Sequence, residues 1–530
     1  MWKLRTLLLL ALTLCVWSAA VPAQLAEQQD EMDYMHPELK RTQRSFRSNK
    51  AEQRNEYWLQ ASRQHILQKL QQVRNTNRAK NIILFLGDGM GLATLAAARS
   101  YMGGEELQLS FEQFPHTGLS KTYCVDKMVP DSASTSTSYL CGVKANYGTI
   151  GVNAHIQRGD CVAMANASNH VYSVGKWALD AGKAAGLVTT TRVTHASPSG
   201  VYAHTADREW ENDARLNEAC GAAAQPLNDI ALQLIHGEVG SRLKVMLGGG
   251  KRNFFDPEHD SKGQRTDGRD LPAEFEQLAA GNVYVKKRNQ LQSIKANETN
   301  RLLGLFSKSH MHYHLEQLAD EKNTEPTLAE MTQKALELLQ SEQQGYFLFV
   351  EGGKIDISHH DTMARIALDE TVELSKAVAL ARQLTSEQDT LIVVTSDHSH
   401  TFSLGGYQAR GSDVFSPAKS NASDGKSYLP ISYANGKSFE EYYNMTLHER
   451  VEPKEFPGAG DAYQVFPATA PLESETHGGE DVAVFASGPW AHLFSGVYEQ
   501  NAIPHMMAFA ACVGAGQTAC DQSASNDAFA

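Results

Sequence analysis

Ser132 follows an aspartate, Asp131, in a chain that also carries Asp88, Glu351, Asp356, His360, Asp397, His398 and His477. One hydroxyl with that many carboxylates and imidazoles suits a multi-metal centre. Its chemistry would be metal-assisted phosphoryl transfer through a covalent seryl intermediate. Asp356 and His360 are four residues apart, so one helical turn puts both on the same face. A carboxylate and an imidazole so placed suit zinc or a similar divalent ion. His359 must then point elsewhere, and His360 is the expected ligand. Asp397 and His398 are adjacent and can both reach one ion from an irregular loop, with His400 expected behind them. The hydroxyl of Ser197 can complete the oxygen shell of magnesium, and His195 stands nearby. Arg208 is the natural bidentate partner for phosphate oxygens.

Each signal is weak alone, since an isolated Gly-Asp-Gly such as Gly87-Asp88-Gly89 is more often a turn. Their placement adds weight. Asn81–Leu86 is a continuous apolar run that stops at Asp88, Gly345–Val350 stops at Glu351, and Leu391–Val394 stops just before Asp397. Unbroken runs of this length suit strands buried on both faces of a parallel sheet. Helical patterns over Leu328–Ser341 and Ala364–Leu384 separate some of them. This alternation predicts a doubly wound α/β fold with a mostly parallel central sheet flanked by helices. In such folds ligands bind at the carboxyl ends of the strands.

Around that core, residues 1–20 read as a signal peptide, with Lys3 and Arg5 before an apolar stretch and Ser18-Ala19-Ala20 as a cleavage site. Residues 21–75 form a polar extension and a helix near Glu52–Arg74. The catalytic core spans 76–401. Residues 402–470, rich in Gly, Ser, Tyr and Pro, read as an inserted surface subdomain, and 471–530 return to the core and end in a polar tail. No later segment predicts a membrane span, and no hydrophobic tail suggests a glycolipid anchor. The expected location is therefore extracellular and secreted. Sequons at Asn166, Asn297, Asn421 and Asn444 fit a glycoprotein. Six cysteines remain beyond the signal, and their pairing is open on spacing alone. The formal charge of -13 gives no footprint for nucleic acid as a specific partner.

At this point the chain resembles the alkaline phosphatases, most closely the animal branch, from about Glu56 to Cys520. The motifs that carry the resemblance are Asn81–Gly91, Val129–Lys144, Thr191–Arg208, Glu351–His360, Thr395–Thr401 and Glu475–Ala486. It implies a zinc- and magnesium-dependent hydrolase of small-molecule phosphate monoesters, with two Zn2+ and one Mg2+ per subunit. Ser132 would be the nucleophile and Arg208 the phosphate clamp. One zinc would sit on Asp356, His360 and His477, and the second on Asp397, His398 and Asp88. Magnesium would sit on Asp88, Ser197 and Glu351, with His195 behind it. A homodimer is implied, with the N-terminal helix as its arm and 402–470 as a crown. The implied disulfides are Cys161–Cys220 and Cys512–Cys520, with Cys141 free and Cys124 an extra thiol that could pair with it.

The chain departs from the family at several positions. Ile357 stands where the animal enzymes usually carry histidine, which removes an imidazole near the phosphate. Ser134 and Ser136 replace smaller residues behind the nucleophile. Ser307 and Glu325 alter the animal calcium site, so calcium is not implied. Two competing readings are a phosphodiesterase or sulfatase on a similar scaffold, and a non-catalytic glycoprotein binding module. The full set of ligands with Ser132 and Arg208 weighs against both.

Overall fold

The computed structural model describes residues 50–224, 227–418, 421–453 and 460–521. The expected signal peptide, most of the polar extension and the last nine residues lie outside the described residues. The apolar runs become strands: β1 Asn81–Gly87, β2 His116–Lys121, β3 Ala184–Arg192, β4 Val245–Gly249, β5 Asn282–Val285, β6 Arg301–Leu305, β7 Tyr346–Gly352 and β8 Thr390–Thr395. With Val482–Ser487 and Gly496–Glu499 they build a ten-stranded sheet. Its order is Gly496–Glu499, β2, Val482–Ser487, β8, β1, β7, β3, β4, β6, β5.

The block from β8 to β5 is parallel, and Val482–Ser487 runs antiparallel to both of its neighbours. The central strands β1, β7 and β8 are mostly apolar and buried, as expected where helices cover both faces. Along β1, Ile83 and Phe85 join one core with Leu336 and Leu374. Ile82, Leu84 and Leu86 join the other, with Leu140, Leu234 and Met507. This is the two-residue alternation of a strand, with apolar residues on both sides.

On the first face the helices Leu328–Leu339 and Ala364–Leu384 pack together. Thr327 and Glu330 form a reciprocal capping box at the start of the former, which satisfies amide groups otherwise left open. The second face carries Ser132–Cys141, Val174–Asp180 and Ala502–Ala511, among others.

Among the described residues of 402–470, two short antiparallel ladders join Phe402–Leu404 with Ile431–Tyr433 and Tyr443–Asn444 with Glu449–Arg450. Phe402, Phe415, Tyr433 and Phe466 belong to the same apolar cluster as the first sheet face, so this segment packs on the sheet core. The helix Asn55–Leu70 buries none of its residues.

Disulfides join Cys161 to Cys220 and Cys512 to Cys520. Cys124 and Cys141 are not bonded to each other. The Cys124 thiol donates to Asp126 Oδ1 at 3.4 Å, and that of Cys141 to the Gly200 carbonyl at 3.7 Å. Among the described residues no helix is long and apolar enough to cross a membrane.

Candidate active site

The register of the parallel strands decides where the acidic residues meet. Leu86 lies opposite Glu351 on β7 and Thr395 on β8, and Thr189 on β3 also lies opposite Glu351. Asp88, Glu351 and Asp397 therefore emerge side by side at one edge of the sheet. All three are fully buried. Gly89 turns the chain after Asp88 at φ +70°, and its amide donates to Asp397 Oδ1 at 3.0 Å.

Ser132, also buried, opens the helix Ser132–Cys141. Its Oγ lies 3.1 Å from His398 Nε2, which is 3.0 Å from Asp397 Oδ2 and 3.6 Å from Asp88 Oδ1. Asp131 caps this helix. Its Oδ1 accepts from Ser134 N at 3.2 Å and Gly148 N at 2.9 Å, while Oδ2 accepts from Arg208 Nη1 at 3.0 Å. The nucleophile candidate thus stands at a helix N-terminus, where amide groups and the helix dipole favour an anion. Arg208 is aimed at the same place.

The unusual serines behind Ser132 do not loosen the helix. Ser136 Oγ donates to Ala133 O at 2.7 Å and Ser134 Oγ to Asp131 Oδ1 at 2.8 Å. Gly200 lets the next backbone approach this face. A Cβ there would lie 2.7 Å from Ser136 Cβ.

Asp356 and His360 share one turn of the short helix Lys354–His360. His360 Nδ1 donates to the Glu475 carbonyl at 2.6 Å, and His477 Nδ1 to the Pro130 carbonyl at 2.8 Å. Both rings therefore present unprotonated Nε2 atoms, and these face each other at 3.1 Å. Asp356 Oδ1 is 3.4 Å from the first and 3.3 Å from the second. Three lone-pair atoms converging this way suit a cation between them. His359 points elsewhere, with Nδ1 2.9 Å from Tyr433 Oη and Nε2 3.1 Å from Thr94 Oγ1.

A third cluster joins Asp88, His195 and Glu351. Asp88 Oδ1 and Glu351 Oε1 are buried without a hydrogen-bond partner, which fits a cation between them. Glu351 Oε2 is held by Thr189 and Thr191. Ser197 Oγ reaches Asp88 Oδ2 at 3.4 Å. His195 Nε2 accepts from Arg208 Nη2 at 3.1 Å, so that nitrogen is not free for a metal.

The electrostatics agree. Burial, with Asp397, Asp356 and Glu351 close by, pushes the Asp88 carboxyl well above the usual range. Burial lifts Glu351 to about 7. Burial also opposes ionisation of Asp397, but His398 overrides it and holds the group down at about 2. Packed carboxylates pushed apart in this way mark a centre built for added positive charge.

The structure thus brings together every site residue singled out in the sequence. Two partners were not legible there. Asp131 was seen only as the neighbour of Ser132, although its capping preference before a helical serine was a usable signal. Glu475, whose carboxylate accepts from His400 Nδ1 at 2.5 Å, lay inside a recognised motif with no local feature to mark it. Glu325 accepts from the backbone N and Nδ1 of His312, both at 2.8 Å.

Known proteins place this arrangement. A family model described as alkaline phosphatase matches residues 79–513. The chain is 43% identical over 492 residues to the membrane-bound alkaline phosphatase of Bombyx mori, covering 89% of this chain and 88% of that one. It is 45% identical over 491 residues to the tissue-nonspecific isozyme of Gallus gallus, at 88% and 92% coverage, and 43% over 494 residues to that of Homo sapiens, at 89% and 92%. Among solved structures, the enzyme of the Antarctic bacterium TAB5 superposes with a TM-score of 0.57 at 23% identity, over 83% of this chain and all of that one. The Thermus thermophilus enzyme gives 0.59 at 22%, over 84% and 96%. These two share the fold, while the match to the family model and the closer animal sequences carry the assignment: this chain belongs to the alkaline phosphatase family.

Proposed function

We propose that this alkaline phosphatase hydrolyses phosphate monoesters through a phosphoserine at Ser132. The observation that carries the reading is the convergence of metal-ligating atoms near that hydroxyl. These are the facing Nε2 atoms of His360 and His477 beside Asp356 Oδ1, and the orphaned Asp88 Oδ1 and Glu351 Oε1. Asp356, His360 and His477 would hold one zinc, and Asp88, Asp397 and His398 the other. Asp88, Ser197 and Glu351 would hold magnesium. Bound there, these ions lower the pKa of coordinated hydroxyl groups and counter the charge of the transferring phosphoryl group.

The protein's own groups divide the remaining work. The helix start at Ser132 and the Arg208 guanidinium receive the phosphoryl oxygens. Asp131 and His195 hold that guanidinium in place. Ser132 Oγ attacks phosphorus, its proton leaves, and the bond to the leaving alkoxide breaks, with the alkoxide taking up a proton. Water then attacks the phosphoserine from the opposite side and restores the serine hydroxyl. Two in-line displacements give net retention at phosphorus. Deprotonated attacking groups favour mildly alkaline pH.

We further propose an extracellular, glycosylated homodimer. The exposed apolar residues Trp58, Leu59, Ile66, Leu67 and Leu70 on a helix with no buried residue support an arm laid on a second copy. The test of activity is hydrolysis of a chromogenic phosphate monoester by zinc- and magnesium-loaded protein from about pH 6 to about pH 11, beside its hydrolysis of a diester and a sulfate. Monoester turnover that needs metal and peaks above neutrality is expected. Preferential diester or sulfate cleavage would overturn the reading.

A further inference from the structure

We infer that Glu475 is the positioning residue that fixes the Asp356/His360/His477 pocket as a unit. The inference rests on the metal reading proposed above. Glu475 is 1% exposed and touches the pocket by two routes. Its Oε2 receives His400 Nδ1 at 2.5 Å, and His400 Nε2 donates to Asp356 Oδ1 at 2.7 Å. Its backbone carbonyl receives His360 Nδ1 at 2.6 Å, and its amide donates to the His360 carbonyl at 3.0 Å. The first route orients the carboxylate ligand. The second sets the tautomer of the imidazole ligand so that Nε2 faces inward.

The side chain also holds the backbone that makes the second route. Its Oε1 accepts from Thr401 N at 2.7 Å and Thr401 Oγ1 at 2.5 Å. That ties the segment before His477 to the segment after His398. The tie continues into a short antiparallel ladder, with His477 opposite His400 and Gly478 opposite Ser399. Glu475 therefore bonds His360 directly, reaches Asp356 through His400, and lies two residues before His477. Its hydrogen bonds reach His360, His400, Thr401 and the adjacent Ser474, not Asp88, Asp397 or His398. Removing its carboxylate should weaken one zinc pocket and spare the other.

The experiment is zinc affinity by competition with a chromogenic chelator, on wild type, Glu475→Ala, Glu475→Gln and His477→Ala. Melting of the metal-free proteins is recorded alongside. Loss of an outer partner typically costs about 10- to 100-fold in metal affinity. Glu475→Ala is expected to weaken, by that factor, the same ion that His477→Ala removes, with the other ion bound as in wild type. Glu475→Gln keeps an oxygen for Thr401 and should show a smaller loss at that same ion. Wild-type affinity at both pockets overturns the inference, as does equal weakening of both ions with a matching fall in metal-free melting temperature. If Glu475→Ala does not fold, Glu475→Gln decides alone, and unchanged affinity there counts against the inference. Wild-type protein that binds no zinc would instead overturn the metal reading beneath it.

Discussion

Gly89→Ala tests whether the active-site edge is as closely packed as the geometry indicates. Gly89 sits at φ +70°, and a Cβ there would lie 2.5 Å from His400 Cδ2 and 3.1 Å from Asp356 Cα. Two costs follow. An L-residue held in the left-handed region costs about 1–2 kcal/mol. The imidazole must also move by about 1 Å to restore ordinary contact, which breaks its bond to Asp356 or to Glu475. A charge-assisted hydrogen bond is worth about 1.5–3 kcal/mol. The total is roughly 2.5–5 kcal/mol. With an unfolding entropy of about 2.1 cal/mol/K per residue, a chain of this length loses about 1 °C of Tm per kcal/mol. The metal-free variant should therefore melt about 2.5–5 °C lower, and zinc retention against a chelator should fall by about tenfold or more. Gly159 provides the control, because it has φ +82° and open space, with nothing within 4 Å of where a Cβ would stand. Gly159→Ala should show the backbone cost alone, about 1–2 °C, and keep its zinc. Equal effects of the two substitutions on Tm and zinc would refute the clash with His400.

Two further outcomes are expected. Ile357 packs against Tyr313, Met363 and Ile366 beside Asp356, and Ile357→His should shift both inhibition by inorganic phosphate and kcat; unchanged constants would remove any role for this departure from the family. In the metal-free protein the Glu351 carboxyl, lifted by burial from 4.5 to about 7, favours folding while protonated. That contribution is complete below about 4.5 and is lost as pH rises through about 7, by roughly 3 kcal/mol. Metal-free Glu351→Gln should gain Tm relative to wild type as pH rises across this window, and a constant difference would contradict it.

Much of the site was legible because burial on both faces leaves a strong trace. A strand such as β1 reads as an unbroken apolar run, and an acid at its end stands out. The four-residue spacing of Asp356 and His360 was equally direct, and it separated His360 from His359, whose ring is taken up by Thr94 and Tyr433. What the sequence hid was contact across distance. Nothing near Glu475 signals that His400, 75 residues earlier, is its partner. The composition change at 402–470 was visible, but its sharing of Phe402, Tyr433 and Phe466 with the sheet core was not, because single aromatics in a polar segment carry no periodicity. The helix Asn55–Leu70 shows the converse limit, since its apolar pattern was clear, yet none of its residues is buried within the described chain.

The most direct test of the mechanism is to mix metal-loaded protein with a phosphate monoester, quench in acid during turnover, and map phosphorylation by mass spectrometry, beside Ser132→Ala. The expected result is phosphate on Ser132 in the wild type, with neither label nor the wild-type rate in the variant. Turnover that persists in Ser132→Ala, with no phosphorylated serine in the wild type, would contradict covalent transfer through this residue.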